Sequence, residues 1–373
     1  MKTQHPSQRI TLFLCGDVMT GRGIDQILPQ PSKPQLFEPY MRSALGYVQL
    51  AEEENGPISK PVDFSYIWGD ALDAWERLRP DLRIINLETS VTTSEEAQPG
   101  KGIHYRMHPD NVPCLTAAGI DCCVLANNHV LDWGYAGLAE TLDTLQQAGI
   151  ATAGAGRNAA EAAAPAVLEV EGKGRVLVFA WGMPGSGVPA EWAAGEKRAG
   201  VNFLPDLSLG TIADIAQQVR TVKQAGDQVV ASIHWGGNWG FAVSNDYRRF
   251  AHSLIDEAGV DVVHGHSSHH VRGIEVYHDR LILYGCGDFL NDYEGISGYD
   301  QYRGDLALMY FPVLAQGKLV SLAMTPTQTR RFRVGYAPAE GVQWLKATLN
   351  REGERFGTQV TSSEGCELQL SQR

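Results

Sequence analysis

The stretch VDVVHGHSSHHVRG, Val260 to Gly273, holds four of the chain's 11 histidines: His264, His266, His269 and His270. Neutral imidazole is the commonest protein ligand for Zn, Fe, Mn and related ions. The glycine and two serines of this run allow a tight turn that aims His266 and His269 inward as ligands. His264 lies inside the apolar run, which suits a buried structural role, and His270 is left open between the site and solvent. Other stretches carry matching chemistry. Asp17, in CGDVMTGRG, puts a carboxylate directly after an apolar run, as a metal or phosphate site needs and as a helix cap also would. Asn86 and Glu88 stand two apart, so an extended backbone sends both to one face, with Glu88 able to bridge two cations and Asn86 to orient it or bind one.

LANNHVLDWG is the most informative run. Asn128 offers an amide oxygen to a metal, and His129 beside it can stay off the metal as a general acid. Asp132 either caps the next helix or holds His129 in one tautomer. His234, in SIHWGGNWG, is a further ligand candidate. Trp235 and Trp239, among glycines, suit an aromatic wall or ordinary packing. Arg22, Lys101, His104 and Arg106 are the cations placed to bind an anionic substrate, or else surface residues.

The elements that must position these groups follow a rhythm of apolar run, polar cluster and amphipathic stretch. ITLFLCGD, LRIINLET, DCCVLANNH, RVLVFAWG, QVVASIHWGGN, VDVVHGHSSHH and RLILYGCGDF read as strands covered on both faces, and every one except RVLVFAWG ends in an acid/base or metal-capable residue. GYAGLAETLDTLQQAG, LGTIADIAQQVRTVKQAG and NDYRRFAHSLIDEAG have helical spacing and close on a glycine. Alternating strand and helix predict a layered α/β fold with its crevice outside the carboxyl ends of the strands. Residues 29–66 are proline-rich and irregular, an expected insertion or lid at the rim. Residues 1–312 are expected to form the main domain. In 313–373, LAQGKLVSLAM predicts a hairpin turning at Gln316-Gly317, followed by a helix, as an extension packed on that domain.

With 373 residues, 43% of them hydrophobic, the chain has globular composition, and its formal net charge of -12 works against nucleic acid and anionic lipid. No apolar run approaches a membrane span, so a soluble, cytoplasmic protein is expected. The six cysteines include no CxxC pair and predict buried reduced thiols.

LFLCGDVMTGRG, NLETSVT, LANNHVLDWGYAGLAETLDTLQQAGI, HWGGNWG and DVVHGHSSHHVRGIEVYHDRLILYGCGDF together resemble the CapA family of poly-γ-glutamate capsule biosynthesis proteins, in order from about residue 10 to 312. That family in turn resembles the calcineurin-like metallophosphoesterases, a layered α/β sandwich with two metals at the strand ends. The resemblance implies one or two divalent ions (Mn, Fe or Zn) held by Asp17, Asn128, His234, His266 and His269 with Glu88 as the bridge. It also implies a hydroxide between metals about 3.5–4 Å apart as nucleophile and His129 as the acid. The chain departs from the pattern at Met19, where Asp-x-His is usual, at Asn86-Leu87-Glu88 in place of Gly-Asp, and in the residue gained within Gly265-His266-Ser267-Ser268-His269. It departs again at Asp288, where CapA-like chains usually carry Asn. The expected activity is hydrolysis of a phosphoester or γ-glutamyl amide in an anionic small molecule or γ-glutamyl polymer. The alternatives are a non-catalytic accessory of polymer or peptide assembly and a ligase-like role, the last without a phosphate-binding Gly-x-x-x-x-Gly-Lys loop. Oligomeric state is not encoded in any motif.

Overall fold

Alternate residues of the first strand, β1 (Arg9–Val18), divide between two cores: Ile10, Leu12 and Leu14 face one, Phe13 and Cys15 the other. A strand buried on both faces needs a layer on each side, and the computed structural model, which describes residues 9–363 and 367–372, supplies both. β2 (Leu82–Leu87), β3 (Cys122–Val124) and β4 (Ala151–Ala153) follow β1 in parallel register. The chain then builds a second sheet from β5 (Ala166–Val170), β6 (Gly174–Gly182), β7 (Gln228–His234), β8 (Val262–His266), β9 (Ile274–Tyr277) and β10 (Arg280–Leu283), in the order β9-β10-β8-β7-β6-β5. It returns to the first sheet with β11 (Asp288–Leu290), β12 (Leu306–Ala315), β13 (Lys318–Arg330), β14 (Arg333–Tyr336), β15 (Thr358–Ser362) and β16 (Leu368–Gln372).

Leu12, Leu14, Ile84 and Val124 of the first sheet share one core with Val176, Val178, Val230 and Val262 of the second, so the sheets pack face to face. Outside the first sheet lie α1 (Leu45–Asn55), α2 (Asp70–Leu78) and α3 (Gly134–Gln147), contributing Tyr47, Trp75 and Leu142 to a core with Phe13 and Cys123. Outside the second lie α4 (Leu209–Val222) and α5 (Asn245–Asp256), whose Ile215 and Phe250 pack with Phe179 and Val229. The result is a layered helix–sheet–sheet–helix sandwich. α6 (Ala339–Gly353) adds Leu345 and Leu349 to the inter-sheet core. No helix among the described residues is long and apolar enough to cross a membrane. Cys15, Cys114, Cys122, Cys123 and Cys286 are buried and unbonded, and Cys366 lies outside the described residues.

Three details differ from the sequence pattern. RLILYGCGDF is two strands in different sheets, β10 and β11, because the glycines at 285 and 287 let the chain step across the sandwich. α4 stops at Val222, with Lys223 extended and its ammonium on the Gly259 carbonyl. Gly226 (φ +96°) therefore serves the turn into β7 rather than capping the helix. Residues 29–66 are not irregular throughout: α1 forms there, and its buried face is only Tyr47, Val48 and Ala51, too narrow a stripe to show against the Glu-rich end AEEEN. The hairpin turns where expected, with Gln316 (φ +53°) and Gly317 (φ +72°) both left-handed, a type I′ pair that matches strand twist.

Gly16 marks the tightest crossing. Its missing Cβ would stand 1.7 Å from the Gly287 carbonyl oxygen, which accepts the Asp17 amide at 2.9 Å. Gly16→Ala is therefore expected to force β1 and β11 apart and lower unfolding free energy by about 3 kcal/mol, the upper part of the overpacking range. Urea denaturation followed by circular dichroism measures it, and a loss below ~0.5 kcal/mol would show that the crossing relaxes freely.

Candidate metal centre

Strand register assembles the centre. Parallel pairing sets Asp17 beside Asn86 on one side and beside Asp288 on the other, and sets His234 beside His266. Asp17, Asn86, His234 and His266 lie at or near the carboxyl ends of β1, β2, β7 and β8, and Asp288 opens β11. Asp17, His234 and His266, all buried, bring ligand atoms within 4.8 Å of one another, as do Asp17, His269 and Asp288. Both groups could hold a metal ion, and the carboxylate common to them is Asp17, not Glu88. Glu88 Oε1 instead faces His129 Nε2 and His234 Nε2, each at 3.8 Å.

The amides have distinct places. Asn128 Oδ1 is 3.1 Å from His234 Nε2, beside the first group. Asn86 donates to Asp17 (2.7 Å) and Glu88 (3.2 Å) while its own oxygen accepts from Asn127 (3.0 Å), so it orients the carboxylates rather than presenting an oxygen as a ligand. Asn127 also accepts the His129 amide through its Oδ1 at 3.1 Å, which fixes the turn carrying both neighbours. His129 Nδ1 is 2.6 Å from Asp132 Oδ2, whose oxygen also accepts the Tyr105 amide. Asp132 thus holds the imidazole and leaves the N-terminus of α3 uncapped. Lys101 lies behind this pair, donating to Asp132 and to the Asn128 carbonyl and standing 3.1 Å from His129 Nδ1.

Burial, and then the neighbouring Asp288, pushes Asp17 up to about 7, while burial, Asp17 and Asp288 raise Glu88. Burial first, then neighbouring histidines, holds His234 and His266 well below the ordinary imidazole value. Neutral imidazoles among crowded carboxyls form a donor set that fits a divalent cation, which would relieve the repulsion. The nearby fixed cations are committed elsewhere: Lys101 to Asp132, and Arg22 to Asp292 and Glu38. His129 is lowered to about 4 by burial, opposed by Asp132 and assisted by Lys101, so its resting form is neutral.

His264 is buried behind the centre, bonded to the Cys15 carbonyl (2.7 Å) and the Ser232 hydroxyl (3.0 Å), and burial lowers it to about 4. Its folded value lies below its unfolded one, so its stabilising contribution is complete above about 6.5 and is lost as pH falls towards 4. The difference in unfolding free energy between wild type and His264→Asn should therefore shrink by up to ~1.4 kcal/mol per pH unit across that window. Urea titrations at pH 7 and pH 5 read it, and an unchanged difference would refute it.

Three expected substrate contacts are buried, Arg22 among them although it reaches the cleft wall. Arg22 is 3% exposed, and its guanidinium is filled by Asp292, Glu38 and the Tyr47 hydroxyl. Arg106 is buried over the Trp133 ring and donates to the carbonyls of Ser94 and Lys33. Trp235 is 1% exposed and bonds the Tyr284 carbonyl, because a large indole after an inward-facing strand completes the core. His270 is buried and stacked on Trp239 and Tyr302, not in solvent. His104 is likewise buried, with Nε2 on the Gln98 carbonyl. Lys101, expected among the cations for an anionic substrate, lies behind the His129–Asp132 pair, and Asp288, expected as a strand-end carboxylate near the site, stands beside Asp17.

A cleft of about 620 Å³ opens on the centre through His269 and Asp288. Tyr40 and Asn55 of the 29–66 segment wall one side, and Trp239, Tyr293 and Arg330 line the rest.

Fold and site together define a layered α/β/β/α protein with carboxylate–histidine clusters able to hold cations at its strand ends. Residues 11–293 match the family described as bacterial capsule synthesis protein PGA_cap, and the chain belongs to that family. It is 48% identical over 356 residues to the probable polyglutamine synthesis accessory protein of Mycobacterium tuberculosis strain H37Rv, covering 95% of this chain and 93% of that one. It is 24% identical to the capsule biosynthesis protein CapA of Bacillus anthracis, over 77% of this chain and 61% of that one. It is 25% identical to the PGA biosynthesis protein CapA of Bacillus subtilis, over 79% and 66%.

Proposed function

We propose that this chain is a metal-dependent hydrolase of capsule-polymer synthesis, cutting an amide or phosphoester bond in a γ-glutamyl polymer or a related anionic small molecule. Asp17, Asn128, His234 and His266 would hold a divalent ion of the Mn, Fe or Zn class. The observation that carries this is the pairing of that donor set with a separate His129–Asp132 couple, which a purely structural ion site does not need. A bound cation supplies Lewis-acid polarisation of the scissile group and eases deprotonation of water.

The chain's own groups do the rest. Asp132 fixes His129 through Nδ1 and leaves Nε2 turned towards Glu88 and the centre. Neutral at rest, His129 takes a proton from the attacking water as the new bond to carbon or phosphorus forms. It returns that proton to the leaving nitrogen or oxygen as the old bond breaks. The 29–66 wall and Trp239 would hold an extended chain in the cleft.

A second possibility, a metal-binding accessory without catalysis, is favoured by the word accessory in the name of the M. tuberculosis relative. Metal content per chain, measured on wild type and His266→Ala purified without added metal, tests the centre. Bound divalent ion that falls by at least one equivalent in the variant is expected, together with turnover of phosphodiester or γ-glutamyl amide substrates by the loaded wild type. Metal without turnover would favour the accessory possibility, and no uptake of Mn, Fe or Zn would overturn both.

A further inference from the structure

Three arginines line the cleft that opens on the metal centre: Arg22, Arg303 and Arg330. Two are committed. Arg22 is buried on Asp292 and Glu38, and Arg303 grips Asp305 with Nε and Nη2, each at 2.8 Å. Arg330 is exposed at the end of β13, and its side chain makes no hydrogen bond or ion pair among the described residues. Five carboxylates line the same walls. Asp288 belongs to the centre, and Asp305 to Arg303 and Gln328. Glu294 accepts the amides of Arg331 and Phe332 (2.6 and 2.7 Å) and the side chain of Asn55 (2.6 Å). Glu54 and Asp300 are left exposed and unpaired, as Arg330 is.

Glu294 brings the free charges of opposite sign together. It bonds Asn55 and Arg331, the chain neighbours of Glu54 and Arg330, so those two come to the same end of the cleft, yet no ion pair joins them. The turn beyond Arg330 is strained, with Arg331 (φ +56°) and Phe332 (φ +55°) both left-handed, and the Glu294 clamp with the buried Phe332 ring holds it. The interior of a γ-glutamyl chain presents a carboxylate on every unit and no cation. One free arginine serves the first of these, and Glu54 and Asp300 repel the rest. The amino end of such a chain differs, because it carries an α-carboxylate and an α-ammonium on one carbon. We propose that the cleft binds this free amino end, of a γ-glutamyl chain or conjugate, with the α-carboxylate on Arg330 and the α-ammonium on Glu54, rather than the polymer's interior. Tyr40 and Ile296, exposed on the cleft walls, offer apolar surface to the methylenes of the same unit. This inference rests on the γ-glutamyl substrate proposed above and narrows it to chain ends.

The test is binding of a short γ-glutamyl oligomer labelled with a fluorophore at its carboxyl end, read by anisotropy in metal-loaded His129→Gln protein so that turnover does not intrude. Acetylating the oligomer's amino end is expected to weaken binding about fivefold, the upper end of what an exposed ion pair is worth. Adding Arg330→Gln should weaken the free-ended oligomer by a similar factor, and adding Glu54→Gln should bring free and acetylated oligomers to nearly equal affinity. Both side chains are exposed, so neither change threatens the fold, and unchanged metal content shows that the centre is intact. Equal binding of free and acetylated oligomers before Glu54 is changed, or a preference that survives Glu54→Gln, would overturn the proposal. Affinity that climbs with chain length whether or not the end is acetylated would also overturn it, in favour of interior binding, and leave the γ-glutamyl substrate standing. No binding of either oligomer, while wild type turns over phosphodiesters, would remove γ-glutamyl substrates and keep the hydrolase.

Discussion

His129→Gln should lower turnover by a factor of about 10²–10⁴ while leaving bound metal at the wild-type level, the range expected for removing a positioned proton-transfer group. The expectation comes from a division of labour in the geometry. His129 is outside both groups of clustered ligand atoms, yet its Nε2 is 3.8 Å from Glu88 Oε1 at their edge. Its Nδ1 is committed to Asp132 at 2.6 Å, so the ring has one nitrogen to offer. Burial and Lys101 keep it neutral down to about pH 4, so a working pH profile should stay flat on its account from pH 8 to pH 5. Asp132→Asn should then also reduce turnover, because the amide can force the wrong tautomer on the ring and also removes the ion pair with Lys101. Metal content is the discriminating readout. If His129→Gln loses both turnover and metal, the ring is a ligand or a support of one, and the proton-transfer role fails. If it loses neither, the centre does not use this couple.

Much of this arrangement was legible in the chain because the candidate ligands stand at the ends of apolar runs. A strand buried on both faces is long, continuous and rich in Val, Ile and Leu, so LFLCGD, RIINLE, SIH and VVHGH announced their ends as well as themselves. The turn at Gln316-Gly317 was legible for a different reason: two left-handed residues between alternating strands admit few sequences. What stayed hidden depended on contacts between distant parts. That the strands form two sheets rather than one follows from the step after β10, and nothing in RLILYGCGDF says which sheet receives Asp288. The same step decides which carboxylates gather, so that Asp17, and not the Glu88 expected as the bridge, is the one common to both groups of clustered ligand atoms. The burial of Arg22, Arg106 and Trp235 was not legible, because charge and aromaticity near a motif look alike whether they face a ligand or the core. Arginine in particular is buried only when carboxylates or carbonyls from elsewhere satisfy it, and Asp292 is 270 residues from Arg22 and Lys33 is 73 from Arg106.

Arg22 also gives the largest stability effect expected of a single substitution. Its guanidinium is 1% exposed, with Nε and Nη2 on Asp292 (3.1 and 2.5 Å) and Nη1 on Glu38 (2.9 Å) and the Tyr47 hydroxyl (3.0 Å). The ring of Tyr47 lies 3.9 Å beneath it, and Glu38 itself bonds Tyr47. Through these contacts one cation ties the 29–66 wall of the cleft, which carries Glu38 and Tyr47, to Asp292 beside the centre. Arg22→Met keeps much of the stem's volume but strands two buried carboxylates, and should cost about 3–5 kcal/mol, the penalty of breaking rather than replacing a buried ion group. Arg22→Lys should fall between, since an ammonium keeps the charge but cannot serve Asp292 with two parallel donors. Removing the exposed Lys318–Asp279 pair, by contrast, should cost no more than ~1 kcal/mol. Urea denaturation of the three variants orders these effects. An Arg22→Met loss no larger than that of Lys318→Met would mean that Glu38 and Asp292 discharge by protonation or reach water. The cleft wall would then be held chiefly by its apolar contacts, those of Tyr47, Val48 and Ala51 among them.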